Sequence, residues 1–457
     1  MDVIVERELK LDVEQPFTLP PLGGDELERR VFTSTYHDND AQSLARAGIT
    51  LRRRLENGVS VWQLKLPRND GARSEVEAPG GPAGPPPELA RLLGAHRRHG
   101  ALQPIATLRT RRSGVRLDSV AEVTVDEVDV LDHGHAAGGF VELEVELTGG
   151  DESDLARLGK RLRRAGATTS DGTPKVFRVV APPEAPTPSR KSPLGEQLRH
   201  LLQAQLQRIE RHDPGVRLGD SADDVHRCRV ATRRTRALVR ATRPLLGEHF
   251  AELGDELRWL AGVLGPVRDL DVLIERLGGE LARLDEDAAG GAELLSALTV
   301  ERSRARATLV EALESERYQS LLALFAEEVA AMPEVDTKGD ARTIARDELR
   351  TLHKHGAGLS EVPSDDELHE LRIRAKRARY AAELSALAGT ASAPRLVDAL
   401  KRLQDVIGSH QDAVVAEERL RGLAQARTAI AVGRLVERER ERKRAARAAY
   451  PAAYARI

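Results

Sequence analysis

The chain has 457 residues, with 70 Lys and Arg against 72 Asp and Glu, and a formal net charge of −2. A nearly neutral chain excludes a uniformly basic surface, so we expect neither nucleic acid nor a membrane as a partner. The length predicts two or three domains, and the only cysteine, Cys228, allows no internal disulfide and fits a reducing compartment. Without a signal-peptide pattern or a long apolar run, the sequence favours a soluble, cytoplasmic protein.

The first 180 residues carry the alternating pattern of antiparallel strands, in the runs 3–11, 49–55, 59–66, 121–131 and 140–147. One face of each run is apolar and the other is charged, which for a single strand is typical of a solvent-facing surface. Burying so many charges without partners would cost several kcal/mol per ion. Because the pattern recurs in successive strands, we interpret it as a curled sheet around a water-filled tunnel for a multiply anionic, metal-bound ligand.

An ordered series of charged motifs runs through these strands. Glu6-Arg7-Glu8-Leu9-Lys10 has the form ExExK. The motifs that follow are Tyr-x-Asp at Tyr36 and Asp38, LRRR at 51–54, WQLKLP at 62–67, Arg-x-Arg at 109–111, Asp126, ELEVE at 142–146 and TPKVF at 173–177. Together they resemble the CYTH, or triphosphate tunnel metalloenzyme, superfamily over about residues 1–180.

The resemblance implies an eight-stranded antiparallel tunnel that hydrolyses inorganic triphosphate or a related small triphosphate with Mg²⁺ or Mn²⁺. Carboxylates are the oxygen ligands that these cations prefer, and the expected metal ligands are Glu6, Glu8, Glu142 and Glu144. The expected catalytic set is Glu6, Glu8, Lys10, Arg52, Arg54, Lys65, Arg109, Arg111, Asp126 and Lys175, whose cations would neutralise phosphate oxygens. Glu122 and Glu146 also lie on tunnel faces, and the sequence identifies no general base.

The segment 181–193 contains five prolines, which predicts a linker between a tunnel domain, 1–180, and a helical domain, 194–457. At an offset of 143 residues the second half superposes HRCRVATRRTRA (226–237) on HELRIRAKRARY (369–380). The same offset superposes LAGVLGPVRDLDV (260–272) on LQDVIGSHQDAVV (403–415). One offset that serves both motifs predicts two related bundles of about four helices with pseudo-twofold symmetry. The expected fold class is therefore α+β with two domains.

Each copy of the first motif places a His and several cations in one stripe on a helix. Residues 225–243 contain seven arginines and no acid, whereas a solvated helix face would interleave Glu for pairing. We expect Asp269, Asp271 or Asp412 to orient some of these arginines. In the second copy Val414 stands where the first has Asp271, so the two halves need not bind equally.

The paired motifs resemble the CHAD domain over about 194–457. This resemblance implies binding of inorganic polyphosphate along a basic groove between the two bundles, without catalysis. The expected binding residues are His226, Arg229, Arg233, Arg234, Arg236, Arg240, His369, Arg372, Lys376, Arg377 and Arg379. Two other functions stay open at this point: a non-catalytic polyphosphate-binding or targeting protein in which neither domain turns over substrate, and a nucleotidyl cyclase of the same tunnel fold.

Overall fold

The computed structural model describes residues 3–14, 17–183, 186–189, 191–335 and 338–457. The chain forms two compact units, Met1–Ala185 with Glu210–Asp223, and Pro186–Ile209 with Asp224–Ile457. Residues 184, 185 and 190 of the predicted linker lie outside the described residues. The domain limits 1–180 and 194–457 stay a prediction, and the segment 210–223 packs within the first unit although it follows the prolines.

The first unit contains a single 11-stranded sheet within its described residues. The strands are β1 Val3–Glu6, β2 Glu8–Asp12, β3 Asp25–Glu26, β4 Arg30–Asp38, β5 Thr50–Glu56, β6 Val59–Pro67, β7 Arg73–Pro79, β8 Gln103–Leu117, β9 Ala121–Asp132, β10 His135–Leu147 and β11 Thr168–Thr169. The helices of this part are α1 Ser43–Arg46, α2 Pro87–Leu92 and α3 Glu152–Arg164. All strand pairings are antiparallel.

The N-terminal segment closes the sheet into a barrel. The strand order is β1-β7-β6-β5-β4-β8-β9-β10-β2-β11, and β1 and β2 are consecutive parts of one segment that is interrupted at Arg7. Glu6 of β1 lies opposite Arg73, whereas Glu8 of β2 lies opposite Glu146, so one segment pairs with both edges. With β1 and β2 merged and the two-residue β3 and β11 set aside, eight long strands remain, which confirms the predicted antiparallel tunnel.

The apolar faces of the strands point away from the barrel interior and are covered by helices. Leu11, Val123 and Leu143 are buried together with Leu158 and Leu162 of α3. On the other side Trp62 and Leu64 are buried with residues of α2. Because side chains alternate along a strand, covering the apolar face from outside turns the charged face inward.

The second unit is built from helices. Their bounds are α4 Leu194–Leu218, α5 Ala222–Leu246, α6 Ala251–Leu281, α7 Gly291–Glu314, α8 Glu316–Ala330, α9 Lys338–Ala357, α10 Asp365–Leu387, α11 Ala393–Gly422 and α12 Ala429–Tyr454, of which the last part of α4 and the start of α5 belong to the first unit. Shifting α5 by 143 residues gives 365–389, against the observed 365–387, and shifting α6 gives 394–424, against 393–422. These bounds confirm the predicted helical repeat.

Leucine-rich cores hold the helices of the second unit together. One core joins Leu270 and Leu277 of α6 to Leu298 of α7, Leu420 of α11 and Leu435 of α12. A second core lies between α10 and α11, with Leu371, Leu403 and Ile407 almost fully buried. Among the described residues, none of the helices combines the length and the apolar character needed to cross a membrane.

Candidate functional site

The barrel encloses a cavity of about 230 Å³. The side chains that line it are acidic and basic in nearly equal measure and come from every long strand. They are Glu6, Glu8, Lys10, Arg30, Tyr36, Thr50, Arg52, Arg54, Gln63, Lys65, Arg73, Glu75, Glu77, Arg112, Glu122, Glu144, Glu146, Pro174 and Lys175. Seven of the residues predicted for catalysis are among them, namely Glu6, Glu8, Lys10, Arg52, Arg54, Lys65 and Lys175.

The predicted pair Arg109 and Arg111 lies on the wrong face of β8. Arg111 is exposed and contacts Glu127 and Asp129 on the outside of the barrel. Arg112 lines the cavity instead, and its guanidinium contacts Asp126 at 2.6 Å. Because side chains alternate along a strand, an assignment that is wrong by one residue places the selected arginines on the opposite face of the sheet. The structure therefore corrects this prediction to Arg112.

A buried ion-pair cluster occupies one part of the barrel interior. Lys10 Nζ lies 2.7 Å from Glu142, and Lys175 Nζ lies 3.0 Å from Glu142, 2.6 Å from Glu144 and 3.1 Å from Asp126. Burial lowers the pKa of Lys175, but the surrounding carboxylates outweigh it and raise the pKa well above its usual value. These carboxylates are thus already neutralised by lysines, and Asp126 and Glu142 lie behind the cavity wall.

A second group of carboxylates is crowded without enough cations. Lys65 Nζ contacts Glu6 at 2.6 Å and Glu75 at 3.6 Å. Burial, and next a hydrogen bond with Glu6, raises the pKa of Glu75 to about 8. Burial, and next the charge of Glu6, raises the pKa of Glu146 to about 7. An additional cation would stabilise the ionised form of these carboxyl groups.

This second group has the donor chemistry for a divalent cation. Glu6, Glu8 and Glu146 line the cavity, and one buried oxygen of the neighbouring Glu75 has no hydrogen-bond partner in the described structure. Oxygen ligands of this kind suit Mg²⁺ or Mn²⁺. Within the described ranges, no three acidic, His or Cys side chains are already arranged around one ion position. In the predicted quartet, Glu142 contacts Lys10 and Lys175 through one oxygen, and its other buried oxygen likewise has no hydrogen-bond partner in the described structure.

Sequence reasoning missed several cavity residues, among them Arg30 and Arg73. Arg73 donates to the carbonyl oxygen of Gly48, and Arg30 forms two hydrogen bonds with Glu56. The strand pattern carried a signal for Gln63, which shares a face with Lys65.

The motif residue Asp38 has a different role: it accepts hydrogen bonds from the backbone N–H groups of Leu44 and Ala45 and so holds the start of α1.

In the second unit, a cavity of about 730 Å³ lies beside the basic stripes of α5 and α10. Five of the predicted residues line it: Arg233, Arg236, Arg240, Lys376 and Arg377. The two stripes come close enough for their charges to act on one another. Burial lowers the pKa of Arg233. Tyr380 raises it, whereas the charge of Arg229 lowers it further. We call the surface formed by the two stripes the basic groove.

Lys376 shows how crowded the cations of the basic groove are. Its side chain keeps solvent contact, but the surrounding protein desolvates it, and the charges of Arg233 and Arg372 act in the same direction. Together they lower the pKa of Lys376 to about 8. An ammonium group whose charge is disfavoured in this way would be stabilised by an anion.

The remaining predicted residues of the basic groove do not line this cavity. Arg229 contacts Asp269 at 2.5 Å, and Arg234 and Arg379 approach Glu383 at 3.8 and 3.5 Å. His369 Nδ1 lies 3.0 Å from the side-chain oxygen of Gln411, and His226 lies on α5.

Of the three expected acidic partners, only Asp269 contacts a stripe arginine in the described structure. Asp271 contacts Arg302 instead. The negative charge of Asp412 favours the protonated forms of Arg276 and Glu439. One of the three carboxylates thus pairs with a stripe arginine, and Asp271 pairs with α7 instead.

Fold and cavities define a closed antiparallel tunnel that is followed in the chain by a helical repeat with a basic groove. The CYTH domain description matches residues 5–175, and the CHAD domain description matches residues 200–421. Two relatives, the uncharacterized proteins Rv2226 and MT2285 of two Mycobacterium tuberculosis strains, are each 32% identical over 458 residues, with 91% of this chain and 88% of the relative covered. The chain belongs to this family, in which a CYTH domain is followed by a CHAD domain.

Two solved structures resemble part of the chain. PptA from Streptomyces chartreusis is 25% identical, with 57% of this chain and 99% of that chain covered and a TM-score of 0.48. The CHAD domain from the plant Ricinus communis is 28% identical, with 58% of this chain and 95% of that chain covered and a TM-score of 0.46. Each similarity therefore extends over a little more than half of this chain.

Proposed function

We propose that the barrel is the active site of a divalent-metal-dependent triphosphatase that acts on inorganic triphosphate or a related small triphosphate. The observation that supports this most directly is the cavity of about 230 Å³, in which cations for phosphate oxygens and carboxylates for a metal ion lie side by side. A cavity of this size suits a small anion, and its charged lining would be costly without one.

Different side chains of the cavity would bind the phosphate oxygens and the metal ion. Arg52, Arg54, Lys65 and Arg73 line the cavity and would bind phosphate oxygens, arginine with two parallel hydrogen bonds where the geometry allows. A divalent cation held by Glu6, Glu8 and Glu146 would neutralise further phosphate charge and polarise the phosphoryl group. The buried lysines, Lys10 and Lys175, hold the neighbouring carboxylates in place. Hydrolysis would then depend mainly on positioning and on charge stabilisation during in-line attack by water.

The test is phosphate release from inorganic triphosphate by the full-length protein with Mg²⁺, with Mn²⁺ and with excess EDTA. We expect release with either metal and none with EDTA. ATP in a parallel reaction, analysed for a cyclic product, addresses the nucleotidyl cyclase alternative. Failure to release phosphate from any small triphosphate, under varied metals, would leave a protein that only binds its ligand.

We propose in addition that the basic groove binds inorganic polyphosphate. In the facing stripes, the charge of Arg372 lowers the pKa of Arg233, and the charges of both arginines lower the pKa of Lys376, so a polyanion would relieve the repulsion. For this groove we propose binding without catalysis.

The test of the basic groove is a variant with four charge reversals, Arg229→Glu, Arg233→Glu, Arg372→Glu and Lys376→Glu, which we call the groove-reversed variant. Titration with long-chain polyphosphate should show at least a hundredfold loss of affinity, since several charge contacts of about 1 kcal/mol each turn repulsive. Four reversals on other exposed arginines, Arg283, Arg350, Arg421 and Arg427, form the matched control. Equal losses in both variants would show that net charge, and no particular groove, holds the ligand.

A further inference from the structure

Gln63 stands between a cation and a carboxylate of the tunnel. In the strand pairing it lies directly opposite Arg52 of β5 on one side and Glu77 of β7 on the other. Arg52 Nε donates to Gln63 Oε1 at 2.7 Å, and Gln63 Nε2 donates to a carboxylate oxygen of Glu77. Because an ionised carboxylate can only accept, Glu77 fixes the amide with its oxygen turned toward Arg52.

Arg52 is held in this way by neutral groups. Its other described hydrogen bond runs from Nη1 to the hydroxyl oxygen of Tyr36 at 3.2 Å. Neighbouring cations are held differently, since Lys65 contacts Glu6 and Arg54 contacts Glu56, each at 2.6 Å. The contacts of Arg52 therefore fix the guanidinium without cancelling its charge.

We infer that Gln63 is a positioning residue that holds Arg52 as a receptor for phosphate oxygens and separates it from Glu77. The inference rests on the triphosphate site proposed above. An amide suits this place because it accepts from a guanidinium and donates to a carboxylate at the same time. Glutamate has nearly the same shape but would bring a negative charge against Arg52. Tyr36 contributes in parallel, because its hydroxyl accepts from Arg52 and keeps its own proton for an anion.

The decisive change is Gln63→Glu in the full-length protein. We expect the KM for inorganic triphosphate with Mg²⁺ to rise about tenfold or more, because Arg52 becomes paired with a carboxylate. The kcat should change less, since a contact made equally in the bound substrate and the transition state affects mainly KM. Thermal unfolding of each variant reports whether the fold is kept.

Two controls separate the contact from the total charge of the cavity. The double variant Gln63→Glu with Glu77→Gln has the natural net charge, yet it keeps a carboxylate against Arg52, so its KM should stay high. Gln103→Glu makes the same chemical change beside Asp40 at an exposed position of β8. Its KM should stay within about twofold of the natural value, as for most surface changes.

The pH dependence distinguishes electrostatics from a packing defect. The introduced carboxyl would face Glu77, and two adjacent carboxyl groups protonate more readily than one. As the pH falls, the introduced group becomes neutral like the original amide. The ratio of the two KM values, Gln63→Glu over natural, should therefore shrink toward acidic pH. If Gln63→Glu does not fold, Gln63→Met removes the acceptor without adding charge and should raise KM about threefold, consistent with one lost neutral hydrogen bond.

Binding measured without turnover separates the inference from the proposed function. In the groove-reversed background with EDTA, triphosphate should raise the melting temperature, and Gln63→Glu should reduce that rise. Absence of both turnover and a thermal shift in the natural tunnel would refute the proposed function and this inference together. Normal turnover with an unchanged KM in Gln63→Glu, or a KM restored by Glu77→Gln, would overturn the inference alone.

Discussion

The tunnel and the basic groove both concentrate positive charge, but they do so in opposite ways. In the tunnel each cation has a described acceptor nearby, as with Lys10 and Lys175 against Glu142. In the basic groove, Arg233 and Lys376 face other cations, and their pKa values are lowered by burial and by that repulsion. Under the proposed functions, the difference corresponds to two kinds of anion site, one for a metal ion together with its anion and one for the anion alone.

This contrast has an energetic reason. The tunnel is a narrow interior space in which isolated charges would be strongly disfavoured, so acids and bases must be built together. The groove keeps contact with solvent, which screens cations such as Arg233 and Lys376 and so allows them to lie close together. The following four predictions test this difference, from the largest expected effect to the smallest.

Removal of the first two tunnel carboxylates, by Glu6→Ala with Glu8→Ala, should abolish phosphate release, with a loss of about a thousandfold or more in kcat/KM. Polyphosphate binding by the basic groove should be unaffected. The measurements are phosphate release and polyphosphate titration on the same preparation. Glu14→Ala, at an exposed position shortly after β2, is the control. Undiminished release in the double variant would place the chemistry outside the barrel.

The two adjacent arginines of β8 should behave very differently. Arg112→Ala leaves Asp126 and Glu144 without their guanidinium partner, which should cost roughly 3–5 kcal/mol of unfolding free energy and most of the phosphate release. Arg111→Ala removes an exposed ion pair and should cost less than about 1 kcal/mol. Urea denaturation and phosphate release measure both effects. Equal sensitivity at the two positions would contradict the inward orientation of Arg112.

Salt should weaken the two sites to different degrees. Polyphosphate binding by the solvent-facing groove is expected to fall by about tenfold or more between 0.05 and 0.5 M KCl, because the Debye length shortens to a few Å. The KM for triphosphate should rise less, because the tunnel contacts are buried and less screened. Both quantities are measured across the same salt series with Mg²⁺ held constant. A tunnel that responds as steeply as the groove would remove the proposed distinction.

Alkaline pH should weaken the groove modestly. The pKa of Lys376 is about 8, so the ammonium group is charged below that value and neutral above it. Polyphosphate affinity should therefore fall a few-fold as the pH rises through the range 8 to 9, which is the loss expected for one charge contact. Lys376→Arg should remove this step, because arginine keeps its charge. A persistent step in that variant would assign the titration to another group.

Much of the barrel could be predicted from the sequence because alternation in a strand is a strong local signal. Glu6, Glu8 and Lys10 on one strand, and Arg52 and Arg54 on another, occupy the cavity as the pattern indicates. The inward face could not be assigned in the run Arg109-Thr-Arg-Arg112, because basic residues occur on both faces of this strand. The strand register places each arginine opposite an acid, and the structure shows that Arg112, opposite Asp126, is the one that lines the cavity.

Other parts of the sites depend on long-range packing that one sequence does not show. Arg30 and Arg73 are single basic residues in unremarkable contexts, and only closure of the barrel brings them to the cavity. Likewise, the strand pattern gives no sign that Glu142 is fully buried and contacts two lysines. The helical repeat was easier to predict, because two motifs at one offset fix four helices at once.

The way in which the barrel closes has a consequence for its folding. The segment 3–12 pairs with β7 and with the far end of β10, so the earliest synthesised strand receives its final neighbour among the latest. Contacts of such long sequence separation slow folding, since a long loop must be ordered before they form. During translation at about 5–20 residues per second, this strand stays exposed for seconds before residue 146 appears. Its alternating charges would meanwhile protect the nascent chain from edge-to-edge aggregation.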